Sequence, residues 1–410
     1  MMFAMMHRRG FLGAGLAAGV GWSASKAEYR LSEIESRLAK RKFDGITKAD
    51  LGTPALILDR DLFEQNLRTL SAHSSKTGLK VRPHVKVHKC VEVTQRQIEL
   101  GAIGATTATV AESEYMVAHG VKGVFWTRQP AGRNNIARAT ALAKRDNTFM
   151  AVVDDPLTAS LLEEAAAAAK TTMNVAVDVY AGLTRHGIEG GEPALALAKQ
   201  VDSAKHLKLA GLMGYSGMAS HTKGWENRRK QSLKDLTPLL ETTALCRKAG
   251  VPVEIVSGGS TGTYNIDAYV EGMTELQAGS YVFMDTGYRK IGAKDGGEVY
   301  GDFAPALTVL TTVMSRRHKN QATIDAGNKA MLRPTDEVKG RPTMRIENQG
   351  AEYGIVRWTD GPELKLGDQI ELYPTNLDMS VNAYDRIYVA RGDAIVDMWQ
   401  IMGRTGPPQR

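Results

Sequence analysis

Between Lys80 and Ile291 the chain repeats one rhythm eight times: a short run rich in β-branched residues, then an amphipathic or Ala-rich stretch. The runs lie at Val81–Val85, Ile103–Ala105, Gly123–Trp126, Met150–Val153, Asn174–Val179, Leu207–Tyr215, Val253–Val256 and Leu276–Val282. The intervening segments carry helical periodicity. Leu161, Leu162, Ala165, Ala166 and Ala169 form one apolar face, and Trp225–Ala249 is a longer helical region stopped by Gly250. Strands that alternate with helices pair in parallel, because each crossover needs a helix to return the chain. Eight such units predict a (β/α)8 TIM barrel, with an open doubly wound sheet as the other α/β arrangement.

After about Gly297 the helical periodicity stops. Strand-like pieces at Ala306–Met314, Gln369–Leu372 and Arg386–Val389 are separated by Gly, Pro and Asp, the pattern of a mostly-β second domain. The predicted organisation is a barrel over 60–296 and a β-domain over 297–410, with the extended Leu51–Asp59 segment able to pair with the latter. Of the 410 residues, 43% are apolar and 24% charged, which excludes a disordered chain and a polytopic membrane protein. The formal net charge of +7 is scattered rather than clustered, so no nucleic-acid partner is expected. Two cysteines, Cys90 and Cys246, exclude a disulfide scaffold and a four-cysteine zinc module.

Residues 1–25 read as an address. They hold no acid, an Arg8-Arg9 pair, an apolar run from Phe11 to Trp22 too short to span a bilayer, and small residues at Ser23, Ala24 and Ser25. His7-Arg8-Arg9-Gly10-Phe11-Leu12-Gly13 resembles a twin-arginine signal, which implies export of a folded protein to the periplasm.

In a (β/α)8 barrel the reacting groups sit at the C-terminal ends of the strands, and phosphate often binds after strands seven and eight. The seventh run opens into Ser257-Gly258-Gly259-Ser260-Thr261-Gly262-Thr263-Tyr264, where glycines admit an anion to backbone N–H groups and the Thr261 and Thr263 hydroxyls can add hydrogen bonds. Gly279-Ser280-Tyr281 follows the eighth run. The first run leads into Arg82-Pro83-His84-Val85-Lys86-Val87-His88-Lys89, which places Lys86 at the barrel mouth. An amine there can form a Schiff base if burial or a cation such as Arg82 lowers its pKa. A snorkelling surface lysine, or a metal pair at His84 and His88, would show the same spacing.

That string resembles the Arg-Pro-His-x-Lys-x-His-Lys signature of the D-threonine aldolase and D-serine dehydratase family, and the likeness runs from about Leu51 to Gly403. These are fold-type III pyridoxal 5'-phosphate (PLP) enzymes, with an alanine-racemase-like barrel and a C-terminal β-domain. The resemblance implies that Lys86 carries the cofactor, that Arg185 approaches its pyridine nitrogen, and that Gly259, Thr261, Gly262, Thr263, Gly279, Ser280 and Tyr281 surround its phosphate. It also implies that Tyr215 lies over the cofactor, and that His221 is the base on the substrate β-hydroxyl. A homodimer is implied as well.

The family's metal site is a Pro-x-His-x-(Asp or Cys) string. Here Pro374-Thr375-Asn376-Leu377-Asp378 keeps the aldolase-type Asp378 but has Asn376 in place of histidine. An Asn376–Asp378 pair offers only oxygen, suited to Mg²⁺ or Mn²⁺ rather than Zn²⁺. The reading is a PLP lyase that cleaves a small-molecule D-3-hydroxy amino acid such as D-threonine to glycine and an aldehyde. A D-serine or D-3-hydroxyaspartate dehydratase, an amino-acid racemase and a non-catalytic PLP carrier are the alternatives.

Overall fold

The computed structural model describes residues 24–331 and 337–404, so the twin-arginine string lies outside the described residues. After a helix at Ala24–Ala39, strand β1 (Ala55–Asp59) leads into the barrel. The barrel strands are β2 (Lys80–Val81), β3 (Ala105–Thr107), β4 (Val124–Trp126), β5 (Met150–Val153), β6 (Met173–Asp178), β7 (Leu207–Gly214), β8 (Ile255–Gly258) and β9 (Glu275–Leu276). All pair in parallel in the order β2-β9-β8-β7-β6-β5-β4-β3, and a His84–Thr106 bridge joins the two ends, which closes the barrel. The open-sheet alternative is thereby set aside.

Helices cover the outside, and their ends are written locally. Asp59 accepts from the N–H groups of Asp61 and Leu62 to start Arg60–Thr77, which Gly78 ends in a left-handed turn. Asp155 does the same for Pro156–Ala169, with proline in the first turn, where its missing N–H costs nothing. Gly211 in β7 has φ +151°, and a Cβ there would lie 2.0 Å from the Ile255 carbonyl oxygen, so only glycine lets β7 approach β8. Phe125, Met150, Val152, Ala176, Ala210 and Met213 form a buried apolar plug inside the barrel, while their strand neighbours pack outward onto the helices.

Two predicted strands end early. The first stops at Val81, and Val85–Val87 is a 3-10 turn. The eighth stops at Leu276, and Ser280–Val282 is another such turn. Pro83 and the Gly279-Ser280 pair break the extended backbone at these points, so Lys86 and Ser280 sit on turns above the strands.

The second domain contains β10 (Leu307–Ser315), β11 (Gln321–Ile324), β12 (Met344–Gln349), β13 (Gly354–Trp358), β14 (Gln369–Leu372), β15 (Arg386–Arg391) and β16 (Ala394–Gln400). Its sheet runs β12-β13-β11-β10-β1-β15-β16, with β14 also on β10. β1 is therefore a central strand of this sheet, antiparallel to β10 and parallel to β15. A helix at Leu377–Asn382 interrupts the β-rich composition. Both cysteines are free and buried. Among the described residues no helix is long and apolar enough to cross a membrane.

Arg82 closes the barrel seam. Its guanidinium donates to both Glu275 carboxylate oxygens, at 3.0 and 2.9 Å, and to the Gly123 carbonyl at 2.5 Å. Its side chain is 6% exposed and that of Glu275 2%. Arg82→Leu would strand a buried carboxylate, and a loss of about 3–5 kcal/mol in unfolding free energy is expected from denaturant titration. The Arg82→Leu, Glu275→Leu double variant should lose less than the single one.

Candidate active site

The loops after the strand ends enclose a cavity of about 530 Å³ at the barrel mouth. From the first turn come His84, Lys86 and Val87. Thr109 comes from the loop after β3, and Thr127, Arg128 and Gln129 follow β4. Arg185 and His186 follow β6, and Tyr215 follows β7. The β8 and β9 loops supply Gly259, Ser260, Thr261, Gln277, Gly279, Ser280 and Tyr288. Among the described residues no Asp or Glu lines this cavity. A surface of ammonium, guanidinium, imidazole and backbone donors without carboxylates is built for anions.

Lys86 Nζ lies 3.2 Å from Asp378 Oδ2, an ion pair between a barrel turn and the helix at Leu377–Asn382. Burial pulls the lysine pKa down, but Asp378 outweighs it, and the ammonium is held above its ordinary value. The expectation of a lowered Lys86 pKa is corrected on this point. Arg82 takes no part, because it is spent on Glu275. His84 Nδ1 accepts from the Lys86 N–H at 3.3 Å, which fixes the turn. Burial first, and then the cations around it, push His84 well below the usual histidine range, so it is neutral. His88 is fully buried, with Nδ1 accepting from the Cys90 N–H, so the two histidines form no metal pair.

The Arg185 guanidinium carbon stands 5.6 Å from the centre of the Tyr215 ring. His221 is exposed, does not line the cavity, and packs on Tyr288 with ring centres 4.5 Å apart. Burial and then Lys86 lower its pKa, with Asp378 opposing. Its loop is held by Arg228, which is fully buried and donates to the carbonyls of Gly262, Thr222, Ile291 and Gly292.

Of the residues expected around an anion, Gly259, Thr261, Gly279 and Ser280 line the cavity, whereas Gly262, Thr263 and Tyr281 do not. A Cβ on Gly262 would lie 2.1 Å from the Ser220 carbonyl oxygen, so this glycine serves the close passage of the His221 loop. The Thr263 hydroxyl donates to Asp267 at 2.5 Å and accepts from the Ser260 N–H at 3.1 Å, which braces the β8 loop from behind. The Tyr281 hydroxyl accepts from Gln97 in the core, although its backbone N–H donates to Thr261 Oγ1 at 3.0 Å. Asn376 caps its helix, Oδ1 accepting from the Met379 N–H at 3.0 Å. Asp378 Oδ1 is buried without a partner among the described residues. Sequence reasoning missed Thr127, Arg128, Gln129, His186, Gln277 and Tyr288. Only the strand-end rule pointed toward them, since no spacing marks them out.

Comparison with known proteins follows the same division. Residues 58–287 match the family model "Alanine racemase, N-terminal domain", and residues 306–390 match that of the serine dehydratase domain. The chain is 32% identical to the D-threonine aldolase of Arthrobacter sp, with 87% of this chain and 93% of that one covered. It is 31% identical to the 3-hydroxy-D-aspartate aldolase of Paracoccus denitrificans, with 88% and 94% covered. The crystal structure of D-threonine aldolase from Filomicrobium marinum superposes with a TM-score of 0.84 at 34% identity, over 88% of this chain and 98% of that one.

Behind the β8 loop, burial raises the Asp267 pKa to about 6, although Ser232 and Thr263 donate to it. A carboxyl whose folded pKa lies above its unfolded value favours the folded state most at low pH. That contribution is lost as pH rises from about 4 through about 6, and amounts to about 3 kcal/mol. The gap in unfolding free energy between wild type and Asp267→Asn should therefore shift against wild type across this window and stay level above it, as read by urea titration at a series of pH values.

Proposed function

Because the chain belongs to the family that joins an alanine racemase N-terminal domain to a serine dehydratase domain, we propose that it is a PLP-dependent carbon–carbon lyase, splitting D-3-hydroxy amino acids into glycine and an aldehyde. The observation that carries this reading is a lysine at the mouth of a cationic, carboxylate-free cavity, with a glycine-bearing loop from β8 on the same wall. The residues fit the cofactor expected for this fold. Lys86 offers the amine, Arg185 a cation for the ring, and Gly259, Ser260, Thr261, Gly279 and Ser280 a cradle for the phosphate. The cofactor, when bound, supplies the electron sink for the carbanion left at Cα.

The chain's own residues supply orientation and proton transfer. Arg185 lies over Tyr215 and so positions it at the cavity wall. His221, with its lowered pKa, is neutral near pH 7 and has a lone pair for the proton of the substrate β-hydroxyl. Loss of that proton lets the Cα–Cβ bond break, the β-carbon leaving as aldehyde and Cα taking up a proton to become glycine. Asp378 holds Lys86 in place.

The donors do not fit a resident divalent cation. Asn376 Oδ1 is occupied as a helix cap, Asp378 already faces the Lys86 ammonium, and among the described residues no three His, Cys, Asp or Glu side chains converge. No step is routed through a metal. Family likeness supports a homodimer as the working unit, and the Arg8-Arg9 string supports periplasmic export.

Purified PLP-loaded protein should release glycine and acetaldehyde from D-threonine, and His221→Ala should slow this by roughly 10²–10⁴-fold. The wild-type acid limb should fall below the ordinary histidine value of 6.5 and be absent in the variant. Faster release of pyruvate from D-serine would establish the dehydratase instead. Dialysis against a chelator should leave glycine release unchanged, with elemental analysis finding no stoichiometric divalent ion.

A further inference from the structure

The proposed reaction leaves one quarter of the cavity wall without a task. The circular strand order puts β4 four places from β8, so the Thr127–Gln129 loop faces the Gly259–Thr261 loop from the opposite side of the mouth. The lining on that far side is Thr127, Arg128 and Gln129, joined by His186 from the β6 loop. All four are polar, and Arg128 makes no ion pair among the described residues. Behind them lies Asp178, 1% exposed, whose Oδ2 accepts from Gln129 Nε2 at 2.7 Å and from His186 Nδ1 at 2.5 Å. One buried carboxylate thus locks the residue beside Arg128 and the imidazole together. It leaves the other ring nitrogen of His186 for a ligand, and itself stays out of the cavity.

We propose that Arg128 and His186 form a second carboxylate-binding subsite, and that the favoured substrate is a D-3-hydroxy amino acid with a carboxylate on its side chain. This rests on the lyase reading and names its substrate class. The physical case is one of surplus cations. The glycine loop can take the phosphate and Arg185 the cofactor ring, which leaves Arg128 and His186 for substrate anions. A methyl group such as that of threonine would meet only hydroxyl, guanidinium, amide and imidazole groups on this wall, and would desolvate them without compensation. A carboxylate would instead receive charge-assisted hydrogen bonds from a fork-shaped guanidinium and an imidazole fixed by Asp178.

The test uses amino acids that lack the β-hydroxyl, so that binding is read apart from cleavage. PLP-loaded wild type, Arg128→Met and His186→Leu are titrated calorimetrically with D-aspartate and D-alanine. Wild type should bind D-aspartate ~10- to 100-fold more tightly than D-alanine, the range for one charge-assisted contact, and Arg128→Met should erase most of that ratio. His186→Leu should reduce it in the same direction. Equal wild-type affinities would overturn the subsite, as would a ratio preserved in Arg128→Met. Equal losses for both amino acids would place the α-carboxylate there and overturn the side-chain assignment. Absence of glycine from any D-3-hydroxy amino acid would refute the lyase reading alone, because the binding ratio is measured without turnover.

Discussion

The buried guanidinium of Arg82 is the interaction on which the site depends. β2 and β9 are two residues long and share only the pairs Lys80–Glu275 and Val81–Leu276, too little ladder to hold a barrel shut. Arg82 spans this weak seam, taking Glu275 bidentately from β9 and the carbonyls of Gly123 and Ile103 beside β4 and β3. A Cβ on either Gly104 or Gly123 would come 2.8 Å from its terminal nitrogen, so two glycines clear its path. Lys86 stands four residues further along the same chain, and its position at the mouth follows from where this seam is pinned. A planar fork with five donors can make these contacts together, which a lysine could not.

Electrostatic arrangement is the second constraint. Four aspartates surround the cavity without lining it. Asp178 fixes Gln129 and His186, Asp235 takes the Ser216 hydroxyl at 2.6 Å, and Asp267 braces Thr263. Asp285 accepts from the backbone of Tyr288 and Leu377. Burial is the largest cause of the raised pKa values of Asp178, Asp267 and Asp285. Carboxylates placed this way shape loops through short hydrogen bonds, while the face turned to an anionic ligand shows only donors and cations.

The barrel was legible because its signal is periodic. Short β-branched runs alternating with helical faces leave few architectures, and the strand-end rule then located Lys86, Arg185, Tyr215 and the β8 loop. What escaped has no periodic mark. Arg128, His186 and Tyr288 are single polar residues on loops, and only closure of the barrel brings them to one cavity. Thr263 and Gly262 looked like ligand-facing loop residues because a glycine or hydroxyl serving packing has the same local sequence as one serving a phosphate. Asn376 was legible as an oxygen donor but not as a helix cap, since the β-rich stretch around it hides a helix of six residues.

That short helix shows how the second domain reaches the chemistry. The Thr286 N–H donates to the Pro374 carbonyl at 3.1 Å, and the Leu377 N–H donates to Asp285 at 3.2 Å. Both anchors belong to the loop after β9, the loop that also supplies Tyr288 to the cavity wall. The segment carrying Asp378 is therefore positioned by the barrel itself, although its flanking strands belong to the other sheet. β1 works in the opposite direction, leaving the β-domain sheet to enter the barrel at Asp59. The two units are thus interlocked at both ends, and the Lys86–Asp378 pair joins groups whose separation is set by short hydrogen bonds rather than by the stiffness of either sheet.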